Sequence, residues 1–406
     1  MPPLMLKLLP IILIIGMVPS FIEVDITLPA FPQMLKFFSA TESAVQFTLI
    51  VNFLGLCIFT PIFGPLSESY GRRKIILIGA TLFFIGSIGC STVVDLNQLY
   101  LFRFIQGVGC SAIWIVGFII CSDTYKDEES VQVFGILNAA ISMALIIAPI
   151  AGSLIVAHYN WRFTYHLVAL LIFLSFIAVL IIPETNRNTI KLSVKMVTKS
   201  YCQLIFNTRF LIYAFTPGLL VSACIAYVSV VPFLYIDKMG MSYYIFAVHQ
   251  AILGICLSVA GFYSGALNRK IGSANCIYLS IIICLIGCGS LMIFSHIYPE
   301  SAILFTLSMA VICIGSAFQY SMVFSRSLAL YPELVGSASS LLTFFRLIFF
   351  SFSVLISGWA FTGKLFNSAI IVSLIIAMGL LFSFFVLIDL RNNVVNRKIN
   401  NESHIS

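Results

Sequence analysis

The stretch Gly64-Pro-Leu-Ser-Glu-Ser-Tyr-Gly-Arg-Arg-Lys74 decides how the rest of this chain is read. It joins two apolar segments, residues 43–63 and 75–94. Each has the length of about 20 residues that a helix needs to cross a bilayer. So short a link makes the two helices antiparallel neighbours. Gly64 and Gly71 permit tight backbone geometry and close helix approach. Arg72, Arg73 and Lys74 place three positive charges at one membrane edge. The bias of Lys and Arg toward inner loops predicts that this edge is cytoplasmic. Glu68 stands beside them as a pairing carboxylate.

Composition agrees. The 406 residues are 60% hydrophobic and 9% charged, with a mean hydropathy of +1.08. Soluble domains carry about 25% charged residues, so the chain reads as a polytopic membrane protein. The net charge of +7 resides in short loops beside apolar spans, which is orientation bias and not a nucleic-acid signal. The 11 cysteines lie almost entirely within apolar runs and read as small buried hydrophobes. The first apolar segment contains Glu23 and Asp25 and runs into Pro29. It is read as a first span, not a cleaved leader.

Twelve spans are expected, at 8–31, 43–63, 75–94, 98–121, 133–157, 162–182, 209–233, 245–265, 274–295, 301–324, 336–360 and 366–389. Alternate links are basic: Arg72 to Lys74, then Lys126, then Arg187, Lys191, Lys195 and Lys199, then Arg269 and Lys270, then Arg326. The intervening links hold only Lys36, Arg162, Lys238 and Lys364. Both termini are therefore expected in the cytoplasm. The expected organisation is a first six-helix bundle over 1–185, a linker over 186–208, a second bundle over 209–390 and a tail over 391–406. An internal echo supports it. Gly64-x-Leu66 followed by Gly71 recurs as Gly265-x-Leu267 followed by Gly272, an offset of 265 − 64 = 201 residues. Such a repeat implies parallel halves around a central cavity.

These residues carry a resemblance. The 64–74 stretch resembles the loop between the second and third helices of the major facilitator superfamily, at Gly64, Leu66, Gly71, Arg72 and Arg73. Glu68 replaces the usual Asp, and Ser69 stands where Arg is common. The fourth span, with Arg103, Gln106, Gly107, Gly109 and Ala112, is similar to that superfamily's fourth-helix motif. Asp25-Ile-Thr-Leu-Pro-Ala30 resembles the first-helix motif of bacterial drug:proton antiporters of the bicyclomycin and chloramphenicol resistance type. Pro149 and Gly152 match the fifth-helix motif of antiporters, with Ala148 and Ser153 in place of glycines. The resemblance implies an all-α fold of twelve transmembrane helices in two pseudo-symmetric bundles. It implies proton-coupled export of drugs or other small amphipathic molecules by alternating access, from a monomer in the inner membrane.

The same residues are the candidate site. Asp25, Glu23 and Arg103 are expected to couple protons. Asp25 and Arg103 are placed at one depth, and Glu23, about 200° around the helix from Asp25, is extra. Gly64, Glu68, Gly71, Arg72, Arg73 and Asp123 are expected to form a gating latch, Glu68 capping the eleventh span near Gly336. Glu128 is an alternative partner for the arginines. Pro149 and Gly152 are expected to bend and pack the fifth span. Arg346, in the middle of the eleventh span with no carboxylate of its own half at that depth, is expected to face the cavity with Gln106 and Trp114. No nucleotide-binding loop, metal cluster or nucleophile–base arrangement is apparent, so no cofactor and no enzyme activity are expected. Export of a natural metabolite, an amino acid or siderophore-like compound, is the alternative. A non-transporting sensor is the rival of another class, and the chain lacks the large loops it would use.

Overall fold

The computed structural model describes residues 3–186 and 193–403. Arg187 and Lys191 of the linker lie outside them, as do the side chains of Glu128 and of the tail residues Arg397 and Lys398. The described residues form fourteen α-helices: α1 Pro3–Thr27, α2 Phe31–Phe38, α3 Glu42–Tyr70, α4 Arg72–Thr92, α5 Leu96–Thr124, α6 Asp127–His158, α7 Arg162–Leu180, α8 Val194–Ile205, α9 Thr208–Pro232, α10 Tyr243–Ile271, α11 Ser273–Ile297, α12 Ala302–Ala329, α13 Val335–Trp359 and α14 Leu365–Ser403. Among the described residues, 12 helical segments are long and apolar enough to cross a membrane.

Local chemistry sets their ends. Thr41, Asp95, Asn207 and Ser242 each accept a backbone N–H two or three residues into the following helix, satisfying donors that the helix cannot pair itself. Gly71 and Gly272 both take a positive φ, +98° and +79°. The echo seen in the sequence is thus a repeated backbone break, which a side chain would strain. Two spans continue past a break in α-helical geometry. The first continues to Phe38 through a 3-10 turn at Leu28–Ala30, where Pro29 lacks the N–H an α-helix requires. The seventh continues to Lys238 through a π-helical turn at Phe233–Lys238. The linker contains the amphipathic α8, capped by Ser193, with Leu204 buried. Tyr201 of α8 donates its hydroxyl to the Pro61 carbonyl, 2.9 Å.

Packing repeats between halves. In the first, α1 packs on α5, α6 and α7, while α4 packs on α5 and α7 and α3 on α5. In the second, α9 packs on α12, α13 and α14, while α11 packs on α12 and α14 and α10 on α12. The halves meet through α3 against α13 and α6 against α10. Glycines set the closest approaches. A Cβ at Gly107 would meet the Asn52 carbonyl of α3, and one at Gly86 would lie 2.6 Å from the Gln106 nitrogen.

The two ends of the bundle differ. At the end away from the basic links, Phe31 of one half contacts Phe233 of the other at 5.8 Å between ring centroids. Lys36 pairs with Asp237 at 3.7 Å, and Lys238 with Glu42 at 3.5 Å. Tyr244 bonds His158 at 2.9 Å. Further along, Gly254 of α10 still abuts Ile146 of α6. Toward the basic end, Gly135 of α6 and Gly261 of α10 have open space where a side chain would stand. Along this pair the close contact made at Gly254 is not repeated at Gly261 or Gly135.

Gly107→Ala is expected to lower stability in detergent by about 1–3 kcal/mol, the usual result of overpacking. Gly135→Ala, with nothing within 4 Å, is expected to be neutral or slightly stabilising in the same denaturation assay. Equal effects would show that the α3–α5 contact is not tight.

Candidate functional site

Arg103 is the largest fully buried side chain of the protein. Its position on α5, wedged by glycines between α3 and α4, leaves the residue 0% exposed. Its charge is met by Glu23 of α1, with Nη1 to Oε2 at 2.5 Å and both side chains 1% exposed. The same nitrogen donates to Gln106 Oε1 at 2.6 Å, and Gln106 Nε2 donates to Ser87 Oγ at 2.9 Å. Nε reaches the Thr48 carbonyl at 3.5 Å, and Asn52 donates to the Arg103 carbonyl at 3.3 Å. Four spans are therefore tied to one guanidinium. A pair so deep is retained only with such geometry, because each ion alone is strongly disfavoured in low dielectric.

This differs from the expected pairing of Arg103 with Asp25. Glu23 and Asp25 point to different sides of α1, and the extra methylene carries the Glu23 carboxylate across to α5. Asp25 is half-buried and makes no ion pair among the described residues. Beside it, α6 meets α1: a Cβ at Gly152 would strike the Ile26 carbonyl, and Ala148 and Ser153 are buried. The small residues following Pro149 thus set the approach of α6 to the helix that carries both acids. Gln106, expected in the cavity, is fully buried within the Arg103 network.

At the basic end the 64–74 stretch is bound to its own half. Arg72 Nε pairs with Asp123 Oδ2 at 3.1 Å, and its Nη1 donates to Ser67 Oγ at 2.7 Å. The Glu184 carboxylate accepts the backbone N–H groups of Arg72 and Arg73 at 2.9 and 3.2 Å. It thereby caps the amino end of α4, where the helix dipole is positive. Arg73 itself donates to the Leu180 carbonyl at 2.7 Å. The space above Gly71 is filled by Glu184, since a Cβ there would lie 2.5 Å from Oε2. Gly64 faces Ser340 of α13, 3.9 Å from where its Cβ would stand. The expected cap of the eleventh span by Glu68 is not made in this conformation. Glu68 is exposed, its backbone carbonyl accepts from Asn186 at 2.7 Å, and nothing lies within 4 Å of a Cβ at Gly336.

Between the halves, Arg346 of α13 donates to the Tyr320 hydroxyl at 2.5 Å. Its guanidinium lies 5.7 Å from the ring of Trp114, which comes from the other half. Trp114 is held by a hydrogen bond to the Ser20 carbonyl at 3.1 Å and stacks on Phe21 at 4.5 Å.

Such a repeat of six and six spans, buried acid–base pair and mid-span arginine agree with what the chain resembles. A profile described as Major Facilitator Superfamily matches residues 13–354. The chain belongs to the major facilitator superfamily. It is 28% identical over 330 residues to an uncharacterized MFS-type transporter, YdgK, of Bacillus subtilis strain 168, covering 79% of this chain and 81% of that one. It is 23% identical over 352 residues to the multidrug resistance protein MdtM of Escherichia coli K12, covering 86% of each. Among solved structures, an inward-facing bacterial homologue of the lysosomal transporter Spinster superposes with a TM-score of 0.76 at 14% identity, covering 95% of this chain and 98% of that one. The xylose transporter XylE of Escherichia coli gives 0.71 at 14% identity, covering 94% and 96%. These structures share the fold.

Sequence reasoning missed several partners in this facilitator. Glu184 had one signal, a carboxylate closing the sixth span directly after Pro183. Ser87, Asn52 and Tyr320 had none, because a single hydroxyl or amide within an apolar run does not show which neighbour it meets.

Glu23→Gln or Arg103→Gln alone is expected to cost about 3–5 kcal/mol of stability, since each leaves the partner's charge buried and unpaired. The double variant should cost clearly less than the sum of the two, read by a double-mutant cycle of denaturation midpoints in detergent. Strict additivity would show that the pair is not coupled. Glu184→Ala should cost about 1–3 kcal/mol, the range for losing hydrogen bonds to a charged acceptor. The exposed Glu68→Gln should stay within about 0.5 kcal/mol in the same measurement.

Proposed function

We propose that this transporter exports drugs or other small amphipathic molecules in exchange for protons, by alternating access in a bacterial inner membrane. The kinship with drug:proton antiporters of the bicyclomycin and chloramphenicol resistance type is part of this reading. So are a monomeric state and an organisation into a first bundle to residue 185, a linker to 208 and a second bundle from 209. The basic end, with both chain termini, faces the cytoplasm, supported by the distribution of Lys and Arg. The conformation described here is then closed to the outside and open inward between α6 and α10.

The observation that carries the reading is the pair of acids on α1. Glu23 is neutralised by Arg103, whereas Asp25 has no counter-ion among the described residues and is half-buried. A proton on Asp25 removes an uncompensated charge from a low-dielectric setting. A proton on Glu23 would leave Arg103 unpaired. Asp25 is therefore the proton carrier, and the Glu23–Arg103 pair is the fixed charge against which it works. Because Gly152 and Ile26 hold α6 against the same turn of α1, a change of charge at Asp25 bears directly on one of the two helix pairs joining the halves. The basic-end contacts of Arg72, Asp123 and Glu184 serve as a hinge and latch for the inner gate, with Glu68 reaching α13 when that gate closes.

Reconstituted vesicles with an imposed pH gradient test this. Asp25→Asn is expected to abolish uphill export while substrate counterflow, which needs no gradient, persists. Glu23→Gln should impair both, through its structural role. Uphill export by Asp25→Asn at the wild-type rate, with selective loss of coupling in Glu23→Gln, would move the proton to Glu23.

A further inference from the structure

We propose that the space between the halves contains an anion-binding subsite, centred on Arg346 and walled by aromatic rings, so that the favoured substrates are amphipathic aromatic monoanions such as aryl carboxylates. This names a substrate class for the export reading above and rests on it.

Arg103 and Arg346, both within spans, are treated differently. Arg103 has a carboxylate at 2.5 Å. Arg346, the twelfth of 25 residues in α13, has no ion pair among the described residues. Its one side-chain hydrogen bond goes to a neutral phenol, Tyr320. Its Nε is buried with no partner. A guanidinium carries five N–H donors in a planar fork suited to a carboxylate, and most of that capacity is unused here. The ring faces of Trp114, Tyr320 and Phe350, at 5.7, 5.9 and 5.9 Å, attract the cation without neutralising it.

The setting is a binding space and not a lipid-facing surface. Trp114 belongs to the first half, and Arg346, Tyr320 and Phe350 to the second. Trp114, Tyr320 and Arg346 are each half-exposed although they face one another across the halves at mid-span. Tyr320 stacks on Phe324 and Trp114 on Phe21, so both walls are rigid, flat and apolar. In the proposed complex an aryl ring lies against these walls while its carboxylate takes the donors of Arg346 left unused by Tyr320. A simple cation brought to the same place meets an unneutralised positive charge.

The test uses the purified protein in detergent without a gradient, so it is independent of whether export is proton-driven. In a Trp161→Phe, Trp359→Phe background, Trp114 is the single tryptophan. Quenching of its fluorescence reports binding of 4-nitrobenzoate, 4-nitrobenzamide and 4-nitrobenzylammonium. The expected order is benzoate tightest, amide weaker by about tenfold or more, and ammonium weakest, since a hydrogen bond to a charged group contributes about 1.5–3 kcal/mol. Arg346→Gln should weaken the benzoate about 10- to 100-fold and leave the amide within about twofold, and Arg346→Lys should fall between. An amide or ammonium that binds this background as tightly as the benzoate would overturn the proposal, and this ranking needs no substitution at Arg346. A uniform loss for all three probes in Arg346→Gln would also overturn it, making Arg346 a structural anchor. Benzoate preference without uphill transport in vesicles would sustain the subsite and refute the export mechanism.

Discussion

A full charge within the hydrocarbon layer must be neutralised or hydrogen-bonded, and much of this structure follows from how that demand is met at Arg103. The guanidinium draws Glu23 from α1, Gln106 from its own helix and the Thr48 carbonyl from α3, with Ser87 of α4 one bond further. Those bonds fix the rotation of four helices about their own axes. Apolar packing alone cannot do so, because lipid tails compete equally for every leucine face. The small residues that bring α5 close to α3 and α4 are what make the bonds short enough to serve.

The same location in the second half carries a polar network with no full charge. Thr48 and His249 are 249 − 48 = 201 residues apart, the spacing of the glycine echo. His249 Nδ1 bonds Thr306 Oγ1 at 2.7 Å, and that hydroxyl also meets Tyr235 at 2.8 Å and Tyr227 at 3.1 Å. Spans seven, eight and ten are thus joined as spans one, two and four are, by phenols and an imidazole in place of an acid and a guanidinium. Duplicated architecture with unequal chemistry gives the halves different tasks. The first holds the ionisable pair, and the second holds Arg346, which has no ion pair among the described residues and which the subsite proposal places in the space between them.

The sequence was legible where a residue type has few places to go. Charges flanking apolar runs gave the number of spans, and Gly71 and Gly272 marked the two helix breaks that recur as positive φ. Arg103 was identifiable because an arginine beside Gln-Gly in an apolar run needs a partner. Which acid it takes was not legible. Glu23 and Asp25 differ by two positions and one methylene, and the choice rests on the rotation of α1 set by contacts with α5, α6 and α7. Gln106 was misplaced for the same reason, since α5, 29 residues long, offers a polar side chain several neighbours. Extensions such as Phe233–Lys238 escaped hydropathy because they lie where the chain passes from membrane to link.

Under the alternating-access proposal, the end away from the basic links is the one that must open. Its ion pairs, Lys36–Asp237 and Lys238–Glu42, involve lysine side chains 75% and 46% exposed. Pairs of that kind contribute about 0–1 kcal/mol each and orient the links more than they hold them. The seal is the apolar contact of Phe31, Phe233 and Phe361, which is non-directional and re-forms readily against other surfaces. The strongly directional bonds, those of Arg103 and of the Arg72–Asp123–Glu184 cluster, all lie within one half. Rigidity is thereby kept inside the bundles and weakness at the contact between them. In the proposed cycle, a rocking motion would break apolar contacts and exposed pairs while keeping the Arg103–Glu23 and Arg72–Asp123 pairs intact, so that Asp25 and Arg346, which have no ion pair among the described residues, would be the groups left to respond to a proton or a ligand.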